Sequence, residues 1–505
     1  MALDIDLSTP EGAFGIASLV LLLALIAVRL SRRIGMPSLL LYLGIGMVLG
    51  IDSFGIIDLT NPLLTEQLGF VALVFILAEG GLTTRWDHVR PALGLGISLA
   101  TVSVVFSIAV AGLGVHLLMG FDWRTSLLWG AVLSSTDAAA VFSVLRGVGV
   151  KPKLSAALEL ESGLNDAPVV IAVILLAGTE PITWLDPLLV VYELIIGAVV
   201  GAAIGFAGAW LLRREALPAA GLYPLATIAL IGGAYAVGTF VHASGFLAVY
   251  VAAVILGNTR LPHRASTLSF AEGLGWLAQI GLFVMLGLYV EPSRLPAALL
   301  YGVLIGLMAL LLARPISVLA ASLPFRLPWR EQAFLSWSGL RGAVPIVLVT
   351  IPLMKGVAHS DQLLDVIVVV VVIYTLLQGT SLPWVARRLK VIQSGQALEV
   401  QVEAAPLEEM NAHVLQVTIP EASKMHGVYV SQLRLPAPST IGLLLRGGEP
   451  VPVTPTVRLQ SGDQLLIVAP ERVRAATEKR LRAVGRGGAL ANWFGERGTT
   501  GTMSS

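Results

Sequence analysis

Long apolar segments fill most of the first 390 of the 505 residues and restrict the chain to folds that suit a bilayer. A membrane-spanning helix needs about 20 mainly apolar residues. Thirteen segments approach or exceed this length, at 12–30, 37–53, 66–82, 93–119, 125–147, 156–178, 187–212, 221–242, 245–257, 268–290, 295–322, 331–354 and 362–387. The ninth is short, so a count of twelve stays open. The pattern predicts an all-α polytopic membrane protein.

Composition supports this class and argues against several others. Hydrophobic residues make up 56% and charged residues 13%, whereas a soluble domain carries about 25% charged residues. Cysteine is absent, which excludes disulfides, thiolate metal sites and cysteine nucleophiles. The net charge of +1 gives no reason to expect a nucleic-acid partner. The phosphate loop GxxxxGK[ST] does not occur, so a nucleotide-driven pump is not expected.

Basic residues alternate between the two sides of the predicted helices. Loops on one side hold Arg32/Arg33, Arg85/Arg90, Lys151/Lys153, Arg213/Arg214, Arg260/Arg264, Arg326/Arg330 and Arg387/Arg388/Lys390. Loops on the other side hold Arg124, Arg294 and Lys355 and are otherwise acidic or uncharged. Because basic residues accumulate in cytoplasmic loops, we expect the N-terminus outside and all residues after 390 in the cytoplasm.

The composition changes near residue 390. Residues 412–420 and 463–469 alternate as strands do, turn residues lie between them, and a helix is expected at 471–483. The sequence therefore predicts a transmembrane domain at 1–390, a small cytoplasmic α/β domain at 398–484 and a disordered Gly/Thr/Ser-rich tail at 485–505.

Five ionisable side chains within the apolar segments require an explanation: Glu79, Asp137, Glu161, Asp166 and Arg341. Each costs at least about 2.5–3.5 kcal/mol on insertion scales. Asp137 lies in the middle of its segment, directly after hydroxyl residues at 134–136. Small and hydroxyl residues favour local unwinding, which membrane proteins tolerate only where the backbone is buried in protein or lines a cavity.

The following segment carries a hydroxyl, an amide and a carboxylate on one helical stripe. Ser162, Asn165 and Asp166 recur at i, i+3 and i+4, and Pro168 frees a backbone carbonyl one turn back. Such oxygen ligands suit an alkali cation better than a transition metal. The alternative is an ordinary hydrogen-bond network between helices. Two carboxylates on successive segments favour the ion site.

The positions of the interrupted segments indicate internal symmetry. Segments 125–147 and 331–354 are fifth and twelfth of thirteen, and each contains polar, glycine or proline residues near its middle. This spacing predicts two inverted repeats of six helices joined by the seventh, with broken helices crossing at an ion site near the midplane. A buried Arg341 needs a carboxylate partner, and Glu161 is the candidate for an architectural pair.

These residues make the chain similar to a known family. It resembles the monovalent cation/proton antiporters, specifically the bacterial sodium- or potassium/proton exchangers associated with cell-volume regulation. The matching stretches are FILAEGGL (75–82), SSTDAAAVF (134–142), ELESGLNDAP (159–168), SGLRGAVPI (338–346) and TLLQGTSLPW (375–384). The resemblance implies a homodimer in the inner membrane, each subunit with thirteen helices, a dimerisation half and a mobile ion-carrying core.

The resemblance also implies residue roles, with Asp166 as the carrier of the ion or proton. It implies an ion- and proton-binding set, Asp166, Asp137, Asn165, Ser162 and Thr136, with K⁺ or Na⁺ ligands from Asp166, Asp137, Ser162 and Thr136. It implies a structural or modulatory set, Glu161, Arg341 and Glu79. The unwound helix reads TDAAAV where many relatives have TDP, a departure that affects the helix crossing rather than the aspartate.

The cytoplasmic part has a resemblance of its own. The stretches VLQVTIPEASKMHGVYVSQLRLP (414–436) and VRLQSGDQLLIVAPE (457–471) resemble the C-terminal subdomain of potassium-conductance regulators, of the RCK-C or TrkA-C type. Such subdomains dimerise and can bind small ligands, which implies regulation of the membrane domain.

Three functions compete on this sequence. In cation/proton exchange, a buried carboxylate holds either a proton or a cation, and one titrating aspartate beside Asn165 implies electroneutral exchange. A ligand-gated potassium channel would need a TVGYG-like filter, which is absent. An intramembrane protease using Asp137 and Asp166 lacks a catalytic signature. We therefore expect a transporter rather than an enzyme, without a cofactor, with K⁺ favoured over Na⁺ by the regulator-like tail.

Overall fold

The structure is a computed structural model that describes residues 9–34, 38–50, 52–53, 55, 57, 62–136, 149–392, 401–407, 412–420, 423–488 and 491. Contacts between residues divide the chain into two compact units, 1–392 and 393–505. Each unit has its own buried apolar core.

The first unit is built from helices. They are α1 (Pro10–Ile34), α2 (Ser38–Leu49), α3 (Pro62–Thr83), α4 (Trp86–Val89), α5 (Leu93–Met119), α6 (Trp123–Ser134), α7 (Pro152–Leu164), α8 (Asp166–Leu176), α9 (Asp186–Arg214), α10 (Leu222–Phe240), α11 (Gly245–Asn258), α12 (Arg264–Tyr289), α13 (Leu295–Met308), α14 (Arg314–Ser322), α15 (Trp329–Trp337), α16 (Ala343–Met354) and α17 (Ser360–Arg388). A π-helical turn, Ala309–Ala313, joins α13 to α14.

The all-helical membrane fold predicted from the apolar segments is confirmed. At least one described helix overlaps each of the thirteen predicted segments. Among the described residues, eight helical stretches are long and apolar enough to cross a bilayer, and shorter apolar helices lie at Ser38–Leu49, Gly245–Asn258 and Ala343–Met354. The number of crossings stays a prediction, because the fifth segment continues into residues 137–148, outside the described part.

Large apolar side chains cover the outside of the helical unit. Phe14 on α1, Leu117 on α5, Phe206 on α9 and Phe240 on α10 are all exposed. Exposing apolar surface to water costs about 25 cal/mol per Å², and contiguous apolar surface marks contact with lipid or with another protein. The outer surface therefore agrees with a multi-pass membrane protein.

Helices α9 and α11 pack closely because glycine recurs every fourth residue on α9. A β-carbon at Gly197 would lie 2.6 Å from the carbonyl oxygen of Ser244, and one at Gly201 would overlap the carbonyl of Ala248. Gly205 continues the same face. In membranes, where lipid tails are as apolar as leucine, such small-residue faces favour helix association by close backbone packing.

Two helical interruptions were predicted, and both segments are interrupted. Helix α6 ends at Ser134, and Ser135 is extended, with φ −62° and ψ 139°. Between α15 and α16, residues 338–342 are not helical. We call residues 135–136 the first break and residues 338–342 the second break. Their relation as inverted repeats stays a prediction.

The second unit is a five-stranded sheet with one helix. Strands β1 (Gln401–Leu407), β2 (Ala412–Thr418), β3 (Thr440–Arg446), β4 (Glu449–Val451) and β5 (Gln464–Pro470) form an antiparallel sheet in the order β1-β2-β5-β3-β4, followed by α18 (Glu471–Gly487). Alternate residues of β2 and β5, such as Leu415 and Ile467, are buried with Leu481 of α18. The small α/β domain is thus confirmed. Its helix, predicted at 471–483, extends to Gly487 and so passes the predicted domain end at 484. Most of the predicted tail lies outside the described residues.

Candidate functional site

The first break follows a helix with a defined beginning and end. The Asp122 carboxylate accepts a hydrogen bond from the backbone N–H of Thr125 at 3.1 Å, which caps α6, and hydrogen bonds with Thr125 lower the pKa of Asp122. At the other end, the Ser134 hydroxyl donates to the Ala131 carbonyl of the same helix at 2.7 Å. The backbone then leaves the helix while still buried.

The carboxylate predicted to carry the ion begins a new helix. Helix α7 ends at Leu164 and α8 begins with Asp166. Asn165 between them keeps helical backbone angles, and its N–H and carbonyl bond to Glu161 and Val169 at 2.8 and 3.2 Å. Pro168 in the first turn of α8 lacks an N–H, which is tolerated at a helix start. A carboxylate at this position faces the positive end of the helix dipole, which favours negative charge there.

The first break and the start of α8 meet in a buried polar cluster. The Ser135 hydroxyl donates to Oδ1 of Asp166 at 3.2 Å, and Nδ2 of Asn165 donates to Oγ1 of Thr136 at 2.6 Å. Each of these residues is at most 5% exposed. The Asn165 oxygen is buried with no hydrogen-bond partner among the described residues. We call these four residues the polar cluster. Asp137, predicted beside them, lies outside the described residues.

Arg341 of the second break lies against the first break. Its Nη1 donates to the Ser135 carbonyl at 3.4 Å. Its guanidinium also lies over the ring of Tyr374 on α17, 5.2 Å from the ring centroid. The Tyr374 hydroxyl donates in turn to the Gly306 carbonyl of α13 at 2.8 Å. Arg341 therefore supports the backbone of the polar cluster, at 2% exposure.

The predicted pair of Glu161 with Arg341 is wrong, because Glu161 pairs with Arg314. Nη1 and Nη2 of Arg314 donate to the two carboxylate oxygens of Glu161 at 2.5 and 3.0 Å, and Nη2 also donates to the Leu335 carbonyl at 3.2 Å. A guanidinium matches a carboxylate in this two-point geometry. Gly339 of the second break leaves room for it, since a β-carbon there would lie 2.5 Å from Nε of Arg314.

The comparison with known proteins identifies the family. Residues 18–388 match the model of the family described as sodium/hydrogen exchanger, transmembrane. The chain belongs to the sodium/hydrogen exchanger family. Residues 414–482 match the TrkA-C domain, so the resemblance of the cytoplasmic unit is confirmed as well. Membership in an exchanger family does not favour the ligand-gated channel alternative.

Individual relatives of this exchanger-family chain cover most of its length. The K(+)/H(+) antiporter NhaP of Alkalimonas amylolytica is 40% identical over 401 residues, covering 78% of this chain and 68% of the relative. The K(+)/H(+) antiporter NhaP2 of Shewanella baltica is 31% identical over 504 residues, covering 97% and 86%. The solved sodium proton antiporter MjNhaP1 of Methanocaldococcus jannaschii has 20% identity and a TM-score of 0.65 over 75% of this chain and 98% of its own. That likeness supports the fold.

Two other predicted residues lie on helices α7 and α3. Ser162 is buried on α7, 6% exposed, one turn before Asp166. Glu79 is partly buried on α3, where its side chain packs against Gly275 of α12. The predicted roles of Ser162 as an ion ligand and of Glu79 as a structural or modulatory residue stay predictions.

Sequence reasoning missed Arg314 and Tyr374. Arg314 lies inside the predicted segment 295–322, and an arginine within an apolar segment was the available signal. The π-helical turn directly before Arg314 was not foreseeable from that segment's uniform apolar character, although such turns are frequent at functional sites. Tyr374 carried no signal, because a buried tyrosine in a membrane helix is common.

Proposed function

We propose that the chain exchanges a monovalent cation, preferably K⁺, for H⁺ at a site centred on Asp166. The supporting observation is the polar cluster, in which a hydroxyl from a broken helix reaches the carboxylate of a second helix inside a buried core. Thr136, Ser162 and Asn165 contribute oxygens around Asp166 in this proposal. Asp137, which follows Thr136 directly in sequence, supplies the second carboxylate.

The proposed mechanism is competition for one carboxylate. A protonated Asp166 carries no charge for a cation to balance, and an ionised Asp166 binds a cation in place of the proton. If each state crosses between the two sides only when occupied, then one cation moves against one proton. The net charge moved is zero, so the exchange is electroneutral and insensitive to membrane voltage.

The ion preference rests on the relatives and on the tail. NhaP and NhaP2 are both K(+)/H(+) antiporters by name, whereas MjNhaP1 is a sodium proton antiporter. The TrkA-C match also favours K⁺ by analogy with potassium regulators. Neither the hydroxyl nor the carboxylate ligands select one ionic radius, so Na⁺ is the second candidate.

The experiment is a flux assay on purified protein in liposomes. K⁺, Na⁺, Li⁺ and Rb⁺ are added in turn, and an internal pH dye reports proton movement at a clamped voltage. We expect saturable proton movement with K⁺ that is unchanged when the clamp is shifted. A cation current without proton movement would support the channel, and the absence of both would overturn exchange.

We also propose that the exchanger is a homodimer in the inner membrane of the cell. Its N-terminus lies outside and its C-terminus lies in the cytoplasm. The alternation of basic residues supports this orientation. The exposed apolar face of α9 offers a surface for a second copy or for lipid. Accessibility labelling of single cysteines introduced into the loops tests this orientation, since the chain has no cysteine of its own.

The cytoplasmic α/β domain at 398–484 is proposed to regulate exchange in response to pH or a small ligand. A domain regulates only by interacting differently with two transporter states. Deletion of residues 398–505 should therefore leave exchange intact and alter its pH profile, because the membrane unit has a separate core. The regulatory role would be overturned if the full-length and truncated proteins had superimposable pH profiles and no ligand shifted the full-length profile. The domain would then have a structural role.

A further inference from the structure

Two basic residues at the outer end of helix α8 do not follow the charge pattern of the loops and require an explanation. Lysine and arginine accumulate in cytoplasmic loops, yet Arg124 and Lys355 lie in loops assigned to the outside. Arg124 is the second residue of α6, and Lys355 directly follows α16. Both side chains reach the same place, the C-terminal end of the helix that begins with Asp166.

Together they complete the hydrogen bonding of the last turn of α8. Nε and Nη2 of Arg124 donate to the carbonyls of Leu176 and Leu175 at 2.9 and 3.2 Å. The Leu175 carbonyl also accepts from the backbone of residue 178 at 3.3 Å. Nζ of Lys355 donates to the carbonyl of Ile174 at 3.2 Å. The remaining carbonyl of the turn, at Val173, accepts from the backbone of residue 177 at 2.9 Å. The last four carbonyls of a helix lack partners within it, and here each one is satisfied by the protein.

The two basic residues therefore connect α8 to both interrupted helices. At the outer end, Arg124 ties α8 to the start of α6, and Lys355 ties α8 to the end of α16. At the inner end, Ser135 at the end of α6 bonds to Asp166 at the start of α8. Arg341, just before α16, bonds to the Ser135 carbonyl. Helix α8 is thus held at its outer end by both neighbours and at its inner end by Ser135, whose carbonyl Arg341 contacts in turn.

We propose that Arg124 and Lys355 are positioning residues for transport, which fix α8 in register with the first break and thereby set the cation affinity at Asp166. Cations at a helix C-terminus also interact favourably with the helix dipole. This inference rests on the proposed function, because the affinity concerned is that of the exchanged cation. Arg124 makes two bonds and is partly buried, whereas Lys355 makes one and is exposed. The larger effect therefore belongs to Arg124.

The test uses full-length protein carrying Arg124→Met or Lys355→Met, which keep an unbranched apolar side chain and remove the donors. We expect the cation KM to rise about tenfold for Arg124→Met and about threefold for Lys355→Met, with maximal rates within about twofold of wild type. The conservative variants Arg124→Lys and Lys355→Arg should recover at least half of each loss in affinity. Lys355→Met keeps the inference testable if Arg124→Met does not fold.

A matched control removes an equivalent helix cap elsewhere. Arg264 donates from Nε and Nη2 to the Gly257 carbonyl near the end of α11, at 3.0 and 2.8 Å. Arg264→Met should lower the melting temperature and leave the KM unchanged. If Arg124→Met behaves in the same way, its role is only structural and the inference is overturned.

A second readout separates this inference from the proposed function. Cation binding stabilises the folded state, so the cation concentration that raises the melting temperature halfway reports affinity without transport. Wild type that is stabilised by K⁺ but moves no protons would overturn exchange, and the variants would still be compared by their stabilisation midpoints. A midpoint unchanged in both methionine variants would overturn the positioning role.

Discussion

Two buried carboxylates five residues apart, Glu161 and Asp166, occupy very different surroundings. Glu161 near the end of α7 receives both arms of the Arg314 guanidinium. Asp166 at the start of α8 has the neutral hydroxyl of Ser135 among its partners. Both are almost fully buried, at 1% and 5% exposure. The two carboxylates lie on either side of Asn165, where α7 ends and α8 begins.

The difference shows how one stretch of chain can hold both an architectural charge and a functional one. A carboxylate bound at two points by a guanidinium is neutralised and fixed, and a competing cation would have to displace a partner of the same charge. A hydroxyl donor orients a carboxylate without neutralising it. The contrast predicts that removing charge at Asp166 affects transport, whereas removing charge at Glu161 affects folding.

The largest expected effect is loss of exchange in Asp166→Asn. The substitution is nearly isosteric and removes the charge that a proton or cation balances, so exchange should fall below a tenth of wild type. The measurement is proton flux in liposomes, alongside a melting curve that should stay close to wild type. Glu159→Gln is the control: Glu159 is a partly buried carboxylate on α7 outside the polar cluster, so this variant should keep exchange. Residual proton flux above a tenth of wild type in Asp166→Asn would contradict the functional role assigned to Asp166 and not to Glu161.

The second expected effect is a loss of stability in Glu161→Gln. The substitution leaves Arg314 buried with a neutral partner, and orphaning a buried charge costs about 3–5 kcal/mol. The double variant Glu161→Gln/Arg314→Gln should recover much of this loss, because no charge is then left unpaired. Melting temperatures of the detergent-solubilised proteins check both statements.

The choice of partner is tested by the same series. If Glu161→Gln/Arg341→Gln recovered stability instead, then Arg341 and not Arg314 would be the partner. A Glu161→Gln protein that melts like wild type but shows a tenfold change in cation affinity would make Glu161 a ligand.

Sequence reasoning reached the helices and the cytoplasmic strands because both leave periodic or apolar signals. It also brought Thr136, Asn165 and Asp166 together correctly, since an unwound segment and a polar stripe on the next helix have few other ways to bury their polar groups. It chose the wrong arginine for Glu161. Sequence distance does not distinguish Arg314 from Arg341, because the choice depends on a π-helical turn and on the room left at Gly339.

The sequence showed that the outer loops contain basic residues, but it did not show what these residues bind. Arg124, Arg294 and Lys355 stood out against the orientation rule. Arg294 pairs with Asp365 at 3.0 Å, and the other two cap α8. Charge counting detects such exceptions, but the acceptors are backbone carbonyls, which carry no sequence signature.

The smallest effect expected in the comparison of the two carboxylates comes from Ser135→Ala, which removes the neutral donor to Asp166 and leaves every charge in place. A neutral hydrogen bond contributes about 0.5–1.5 kcal/mol, so the cation KM should rise about fivefold while exchange continues. Ser134→Ala is the matched control, because the neighbouring hydroxyl bonds within its own helix, and its KM should equal that of wild type. If the polar cluster were only a hydrogen-bond network between helices, Ser135→Ala would lower the melting temperature and leave the KM unchanged. A rise in KM in Ser135→Ala but not in Ser134→Ala would instead mean that the Ser135 hydroxyl acts on the carboxylate that binds the cation. Asp166 and Glu161 would then differ in how their carboxylates are oriented as well as in whether their charge is neutralised.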